Sequence, residues 1–364
     1  MQKIRICFMM PDINREGAMT GMQEMVDAYR RQGANVEIIT QDTRSYKKGI
    51  KTIVFGLVAA IRYLKLNKRF DIIHTQGANG WCNIFLRLAK PKKVITMHGC
   101  YAGELKATGH LTIKVQRIYW RFLSFLDKIA CKNADAVFAI SKTAKEELID
   151  NNICAEEKIF VIHDGIDFKK FTGKRKKMQI SLHNSILYAG RMAENKGLEE
   201  LLKAFVHVKE KIPDAKLYLT GKPNRYMHKI KELIDKLNLK DVIFLGFVQL
   251  ENLLYLYKKT SCFVLPSIYE PFGLVAGEAM ANNALVILSN KCGIAEILDK
   301  RVAFILNDLK PEKIAETIVY VLKHQEKLKP MRIKAKKYIE TNINIDNTAR
   351  KMLSVEKALI GAKI

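Results

Sequence analysis

Residues Phe263 to Met280 read FVLPSIYEPFGLVAGEAM. Phe263 to Leu265 form an apolar run that reads as a buried strand, and Pro266 ends it. A loop follows, and Gly273 opens a helix that carries Glu278. Proline does not continue a helix and biases the residue before it towards extended backbone. Glu270, just before Pro271, is therefore expected in the loop at the strand's carboxyl end, with Glu278 a turn or more into the helix. Ligands of open α/β sheets bind outside the carboxyl ends of the strands. A helix N-terminus there favours an anion such as a phosphate, and the two acids can accept hydrogen bonds from sugar hydroxyls. Phosphate and polyol together suggest a nucleotide-sugar. A plain strand, turn and helix with two surface acids would give the same local pattern.

The stretch resembles the signature of the retaining glycosyltransferases of family 4, the glycogen-synthase and mannosyltransferase-like group. The match lies in Glu270, Pro271, Phe272, Gly273 and Leu274, then Glu278, Ala279, Met280 and Ala281. The resemblance implies an α/β chain of GT-B architecture, two Rossmann-like domains facing across a cleft. It implies transfer from a nucleotide-diphospho-sugar with the anomeric configuration kept. Glu270 would meet the sugar hydroxyls and Glu278 the ribose.

Working outward, apolar strands alternate with helical patterns along the chain, which argues for parallel sheets. The loop from Pro11 to Gly17 follows the first strand but lacks the GxGxxG fingerprint. The family has a glycine pair here. Gly17 matches the second and Glu16 replaces the first. His98 ends a buried strand, and Thr96, Met97, His98 and Gly99 fit the family pattern of a polar donor facing the reacting sugar. His74 also resembles a recurrent family position and reads as structural. Where the family usually has asparagine before a glycine, this chain has Asp164; a short polar side chain keeps the turn in either case.

A basic run from Lys169 to Lys177 has little apolar content and marks a domain boundary near 172–180. The expected domains are 1–172, binding the acceptor, and 173–345, binding the donor, with a last helix (346–364) packing back onto the first. In the second domain Arg191 and Lys196 precede a helix whose Leu198, Leu201, Leu202, Phe205 and Val208 share one face. Two cations at a helix N-terminus make a site for a diphosphate, and both match the family's donor-diphosphate pattern. Gly221, with Lys222 and Pro223, and Val248, after Gly246 and Phe247, resemble the loops that seat the nucleobase.

The net charge of +25 in 364 residues needs a partner. Between residues 43 and 132 there are 18 Lys or Arg against three acids, Asp71, Glu104 and Asp127. Within that window Leu111–Lys132 interleaves Lys114, Arg117, Arg121, Lys128 and Lys132 with Ile118, Tyr119, Trp120, Phe122 and Phe125. Such a pattern describes an interfacial helix, so an anionic membrane surface is an expected partner beside the nucleotide-sugar donor and a saccharide or lipid-linked acceptor. The seven scattered cysteines include no CxxC pair and read as reduced core thiols of a cytosolic protein. With no secretory signal and no apolar run near the ~20 residues of a spanning helix, the expected location is cytoplasmic, peripheral on the inner membrane face. No DxD motif occurs, so a metal held by that motif is not expected, and no cofactor is expected beside the nucleotide-sugar donor, with no metal required.

Nucleic acid is the other usual partner of a basic chain, but no stacking or groove-reading motif is present and the paired acids would oppose a phosphate backbone. The missing GxGxxG counts against a nicotinamide oxidoreductase. A non-catalytic relative would still carry this fold; intact Arg191, Lys196, Glu270 and Glu278 argue for an enzyme.

Overall fold

A computed structural model describes residues 3–10, 18–40, 51–66, 69–111, 113–173 and 175–362. The chain divides into two compact units, Met1–Asp167 with Asn344–Ile364, and Phe168–Ile343. The division falls just before the basic run and not within 172–180. Phe168–Thr172 already forms a 3-10 turn of the second unit, and its Lys170 reaches Glu278 there.

The first unit begins with β1 (Arg5–Met9), α1 (Ala18–Arg31), β2 (Asn35–Ile39) and α2 (Lys51–Lys65). β3 (Ile72–Gln76) leads into a 3-10 segment, Gly77–Ile84. β4 (Lys92–Met97), α3 (Tyr101–Thr108), α4 (Lys114–Lys132), β5 (Ala136–Ala139), α5 (Lys142–Asp150) and β6 (Ile159–Val161) follow. The sheet order is β2-β1-β3-β4-β5-β6, with every pair parallel. All five residues of β3 and all four of β5 are buried. Such continuous burial belongs to a parallel sheet covered on both faces.

α12 (Ile345–Leu359) also belongs to this unit. Its Ile345, Ala349, Met352 and Leu353 share a buried cluster with Val26 and Tyr29 of α1 and Phe8 of β1. Glu356, a turn further on, is fully buried, its Oε1 2.9 Å from His74 Nδ1. The other ring nitrogen of His74 lies 2.8 Å from Thr96 Oγ1, and Phe8 stacks on the ring at 4.4 Å. Burial pushes the Glu356 carboxyl up, and the contact with His74 works against that push.

The second unit contains β7 (Ser185–Ala189), α6 (Leu198–Lys211), β8 (Lys216–Thr220), α7 (Tyr226–Lys236), β9 (Val242–Gly246) and α8 (Leu250–Lys259). Then come β10 (Cys262–Leu265), α9 (Leu274–Ala281), β11 (Val286–Ser289), β12 (Phe304–Leu306), α10 (Pro311–Lys323) and α11 (Lys329–Asn342). The order β12-β11-β10-β7-β8-β9 is again wholly parallel. From β7 the chain winds outward through β8 and β9, then returns and winds the other way from β10. The junction of β7 and β10 is therefore the topological switch point, where open α/β sheets bind ligands.

Candidate active site

The loops leaving β7 and β10 meet at that switch point. The N–H groups of Ile268 and Tyr269 both donate to the Asn195 carbonyl, at 2.9 and 3.1 Å. The Asn195 side-chain amide donates back to the Tyr269 carbonyl at 3.3 Å. Gly197 follows with φ +66°, and a Cβ there would lie 2.0 Å from the Pro266 carbonyl oxygen. Only glycine allows the two loops so close. The seam places Lys196 Nζ 2.6 Å from Glu270 Oε2, with the two side chains 11% and 15% exposed.

Glu270 is fixed from its other side by the turn after β11. The Gly293 N–H donates to the Glu270 carbonyl at 2.9 Å, and Ile294 N–H to the Phe272 carbonyl at 2.7 Å. Phe272 is buried and Pro271 half-buried. Gly273 takes φ +96° as the cap of α9, and Leu274 is that helix's first residue. Burial, with Glu270 adding to it, pushes up both the Cys292 thiol and the Tyr188 phenol. Both stay protonated and neutral beside the carboxylate.

Glu278 lies on α9 and pairs with Lys170 Nζ at 2.8 Å. Arg175 reaches the same helix through Asn282 Oδ1, at 3.3 Å. Arg191 is exposed, and its carbonyl accepts from the Tyr188 hydroxyl at 2.9 Å. The glycines of the neighbouring loops are packed together: Gly221 N–H donates to the Gly246 carbonyl at 2.9 Å, and a Cβ on Gly221 would lie 2.1 Å from Gly190 O. Lys222 Nζ sits 5.2 Å above the exposed Phe247 ring, next to half-buried Val248. The structure thus brings Arg191, Lys196, Gly221, Val248, Glu270 to Leu274 and Glu278 to the carboxyl ends of one sheet's strands or the helix that follows.

His98 belongs to the first unit. Its Nε2 lies 2.8 Å from Gln76 Oε1, and Nδ1 is 3.8 Å from Asp164 Oδ2. Its side chain is 40% exposed. Asp164 Oδ1 accepts from the Gly165 N–H at 3.0 Å, a turn closed by the short polar side chain. Gly17 lies outside the described residues. Among the described residues no group of three or more His, Cys, Asp or Glu could hold a metal ion.

Neither Asn195 nor Lys170 is marked as a site residue by the sequence. Asn195 is a loop residue between two cations, with no local pattern of its own. Lys170 is one lysine in a crowded run, and its partner is 108 residues away.

Two family models match consecutive parts of the chain: Glycosyltransferase Family 4 over residues 15–170, and Glycosyl transferases group 1 over 171–338. An uncharacterized glycosyltransferase of Methanocaldococcus jannaschii is 32% identical over 233 residues, which is 61% of this chain and 59% of that protein. One from Bacillus subtilis is 28% identical over 87% of this chain and 86% of its own. A capsular polysaccharide biosynthesis glycosyltransferase of Staphylococcus aureus is 27% identical, over 82% and 83%. Among solved structures, sucrose-phosphate synthase from Thermosynechococcus elongatus superposes with a TM-score of 0.83 at 20% identity, covering 99% of this chain and 100% of that one. Anabaena HepE in complex with UDP-glucose superposes at 0.72 and 16% identity, covering 98% and 100%.

Proposed function

Because the chain belongs to the group 1 and family 4 glycosyltransferases of GT-B fold, and is thus an enzyme that transfers sugar, we propose that it moves a hexosyl unit from a UDP- or GDP-sugar to a saccharide or lipid-linked acceptor. The transfer keeps the anomeric configuration and uses no metal. The observation that carries this reading is the Lys196–Glu270 pair at the switch point, 2.6 Å apart and largely shielded from water.

The assigned roles follow from charge for the diphosphate and from the family resemblance for the sugar, ribose and base. Lys196 and exposed Arg191 meet the diphosphate, and the N-terminus of α9 adds its partial positive charge. Cations fixed in advance stabilise the charge that builds on the leaving phosphate. Glu270, held by Lys196 and the Gly293 N–H, accepts hydrogen bonds from the sugar hydroxyls. Glu278 meets the ribose, and the loops carrying Gly221 and Val248 flank the base. His98 keeps the role that the family resemblance implies, a polar donor to the reacting sugar. In the transfer, the bond from the anomeric carbon to the β-phosphate oxygen breaks. A bond to the acceptor oxygen forms on the same face, and the acceptor proton passes to the departing phosphate.

Relatives of the chain support the substrate class. One acts in capsular polysaccharide biosynthesis, another is an O-antigen chain mannosyltransferase, and a structural neighbour holds UDP-glucose. We place the enzyme in the cytoplasm, on the inner face of the cell membrane, in surface polysaccharide or glycolipid assembly. The test is incubation with labelled UDP- and GDP-hexoses, a chelator and extracted cell-surface glycolipid. The reading expects an α-linked product from an α-linked donor. An inverted product, or strict dependence on a divalent metal, would contradict it.

A further inference from the structure

Sixteen large apolar side chains stand exposed among the described residues, and eleven of them fall between Leu57 and Phe125. α2 presents Leu57, Ile61 and Leu64, spaced along one face. The segment after β3 presents Ile84, Phe85 and Leu88, the last 98% exposed. α4 and the residue before it present Ile113, Val115, Ile118, Phe122 and Phe125. Residues 115, 118, 122 and 125 follow the spacing of a single helical stripe.

These three elements are neighbours. Trp81 Nε1 donates to the Thr52 carbonyl of α2 at 3.0 Å, and a Cβ on Gly56 would strike the Trp81 indole at 2.3 Å. Phe85 meets Trp81 edge-on at 5.5 Å. From the other side Trp120, Leu123 and Leu126 of α4 bury against Ala78, with Trp81 and Tyr119 packed on the cluster. Trp120 thus faces the core, correcting its expected place on the interfacial side of this helix. Tyr119 hydrogen-bonds Thr52 of α2. It sits one turn from both Val115 and Phe122, so the apolar stripe of α4 runs on the side nearest α2.

Cations accompany the apolar residues. α4 carries Lys114, Arg117, Arg121 and Lys128 at helical spacing, on a stripe flanking the exposed apolar one. Arg62 and Lys65 lie on α2, and Arg87 and Lys90 follow the 3-10 segment. None of these eight makes an ion pair among the described residues. Of the three acids in this stretch, Asp71 pairs with Arg5, Asp127 is 1% exposed and Glu104 is half-buried.

We propose that α2, the 77–90 segment and α4 form one docking face for an anionic lipid bilayer. The exposed aliphatic and phenyl groups enter the boundary between headgroups and acyl chains. The flanking lysines and arginines meet lipid phosphates, at about 1 kcal/mol each near the surface. No described helix is long and apolar enough to cross a membrane, so the face lies on the bilayer. A second copy of the chain is disfavoured as occupant, because both faces would bring unpaired cations together. A polynucleotide would satisfy the cations but leave the aliphatic stripe of α2 in water. The inference deepens the lipid-linked-acceptor reading, since it brings the chain to the plane where such an acceptor lies.

The test is co-sedimentation of the full chain with phosphatidylcholine vesicles, with and without about a quarter phosphatidylglycerol, at low and high salt. Pelleting with the anionic vesicles at low salt, weaker at high salt and absent with phosphatidylcholine alone, is expected. The double variant Ile118→Ser/Phe125→Ser removes exposed side chains only. It should bind at least about tenfold more weakly with an unchanged melting temperature. Wild-type chain left in the supernatant with anionic vesicles at low salt would overturn the proposal. So would undiminished binding by the double variant, or pelleting without vesicles. Donor hydrolysis in solution, measured alongside, reports on the transferase reading separately.

Discussion

Lys196 and Glu270 are 74 residues apart in sequence and 2.6 Å apart in the structure, one from the loop after β7 and the other from the loop after β10. Each side chain is mostly shielded from solvent, so each depends on the other for its charge partner. Lys196→Ala and Glu270→Gln should each lower transfer by about 100-fold or more, the scale of losing one preorganised electrostatic contact. The double variant should lose less than the product of the two single losses, because the residues act as one unit. Steady-state rates of the three variants check this.

Gly197 is expected to tolerate no side chain. Its φ of +66° and the 2.0 Å approach of the Pro266 carbonyl to a built Cβ act together. Gly33 has φ +86° with open space around it, so alanine there meets only the backbone penalty. Gly33→Ala should cost about 1 kcal/mol, and Gly197→Ala at least about 2 kcal/mol. Denaturant unfolding of both variants measures the difference.

Asp127 gives the first unit a pH dependence. Burial pushes its carboxyl from an ordinary 3.8 up to about 8, partly offset by the Tyr101 N–H at 3.2 Å. The folded state therefore holds this proton more tightly than the unfolded chain. Its contribution is full below the unfolded value and is lost as pH rises towards the folded one, by about 1.4 kcal/mol per pH unit at most. Asp127→Asn keeps an acceptor for Tyr101 without the charge. Its melting temperature should match wild type near pH 4 and exceed it by several degrees near pH 8. Parallel melting curves across that range decide it.

The buried Glu356–His74 contact ties α12 to the first sheet. Glu356→Ala leaves a buried ring nitrogen without its partner and should cost about 1–3 kcal/mol. Glu356→Gln, which keeps a hydrogen-bonding group, should cost less. A double-mutant cycle with His74→Ala should return a coupling above about 0.5 kcal/mol; purely additive losses would deny the contact that role.

The elements with strong periodicity were legible in the sequence. Leu198, Leu201, Leu202, Phe205 and Val208 mark the buried face of α6, and all five are buried. The helix Tyr101–Thr108 was not legible, because YAGELKAT has no apolar stripe and its cap is the Cys100 thiol, which accepts from Gly103 N–H at 3.3 Å. The face of Trp120 is hidden in the sequence for a related reason. Tyr119, Trp120, Phe122 and Phe125 are all large and apolar, and only packing against Ala78 shows which points inward. At the site, the residue types and their loops could be read locally, whereas the pairings Lys196–Glu270 and Lys170–Glu278 required the strand order. A linker lysine and a loop asparagine carry no local mark of the partner that topology brings to them.

The most direct measurement is thermal shift of wild type and Lys196→Ala against UDP-, GDP-, ADP- and TDP-sugars, with a chelator present. Stabilisation of the wild type by one nucleotide class, and its loss in Lys196→Ala, is the predicted result. It would name the base and locate the donor beside Glu270. No shift with any donor, or an equal shift in Lys196→Ala, would contradict a donor site built on the Lys196–Glu270 pair.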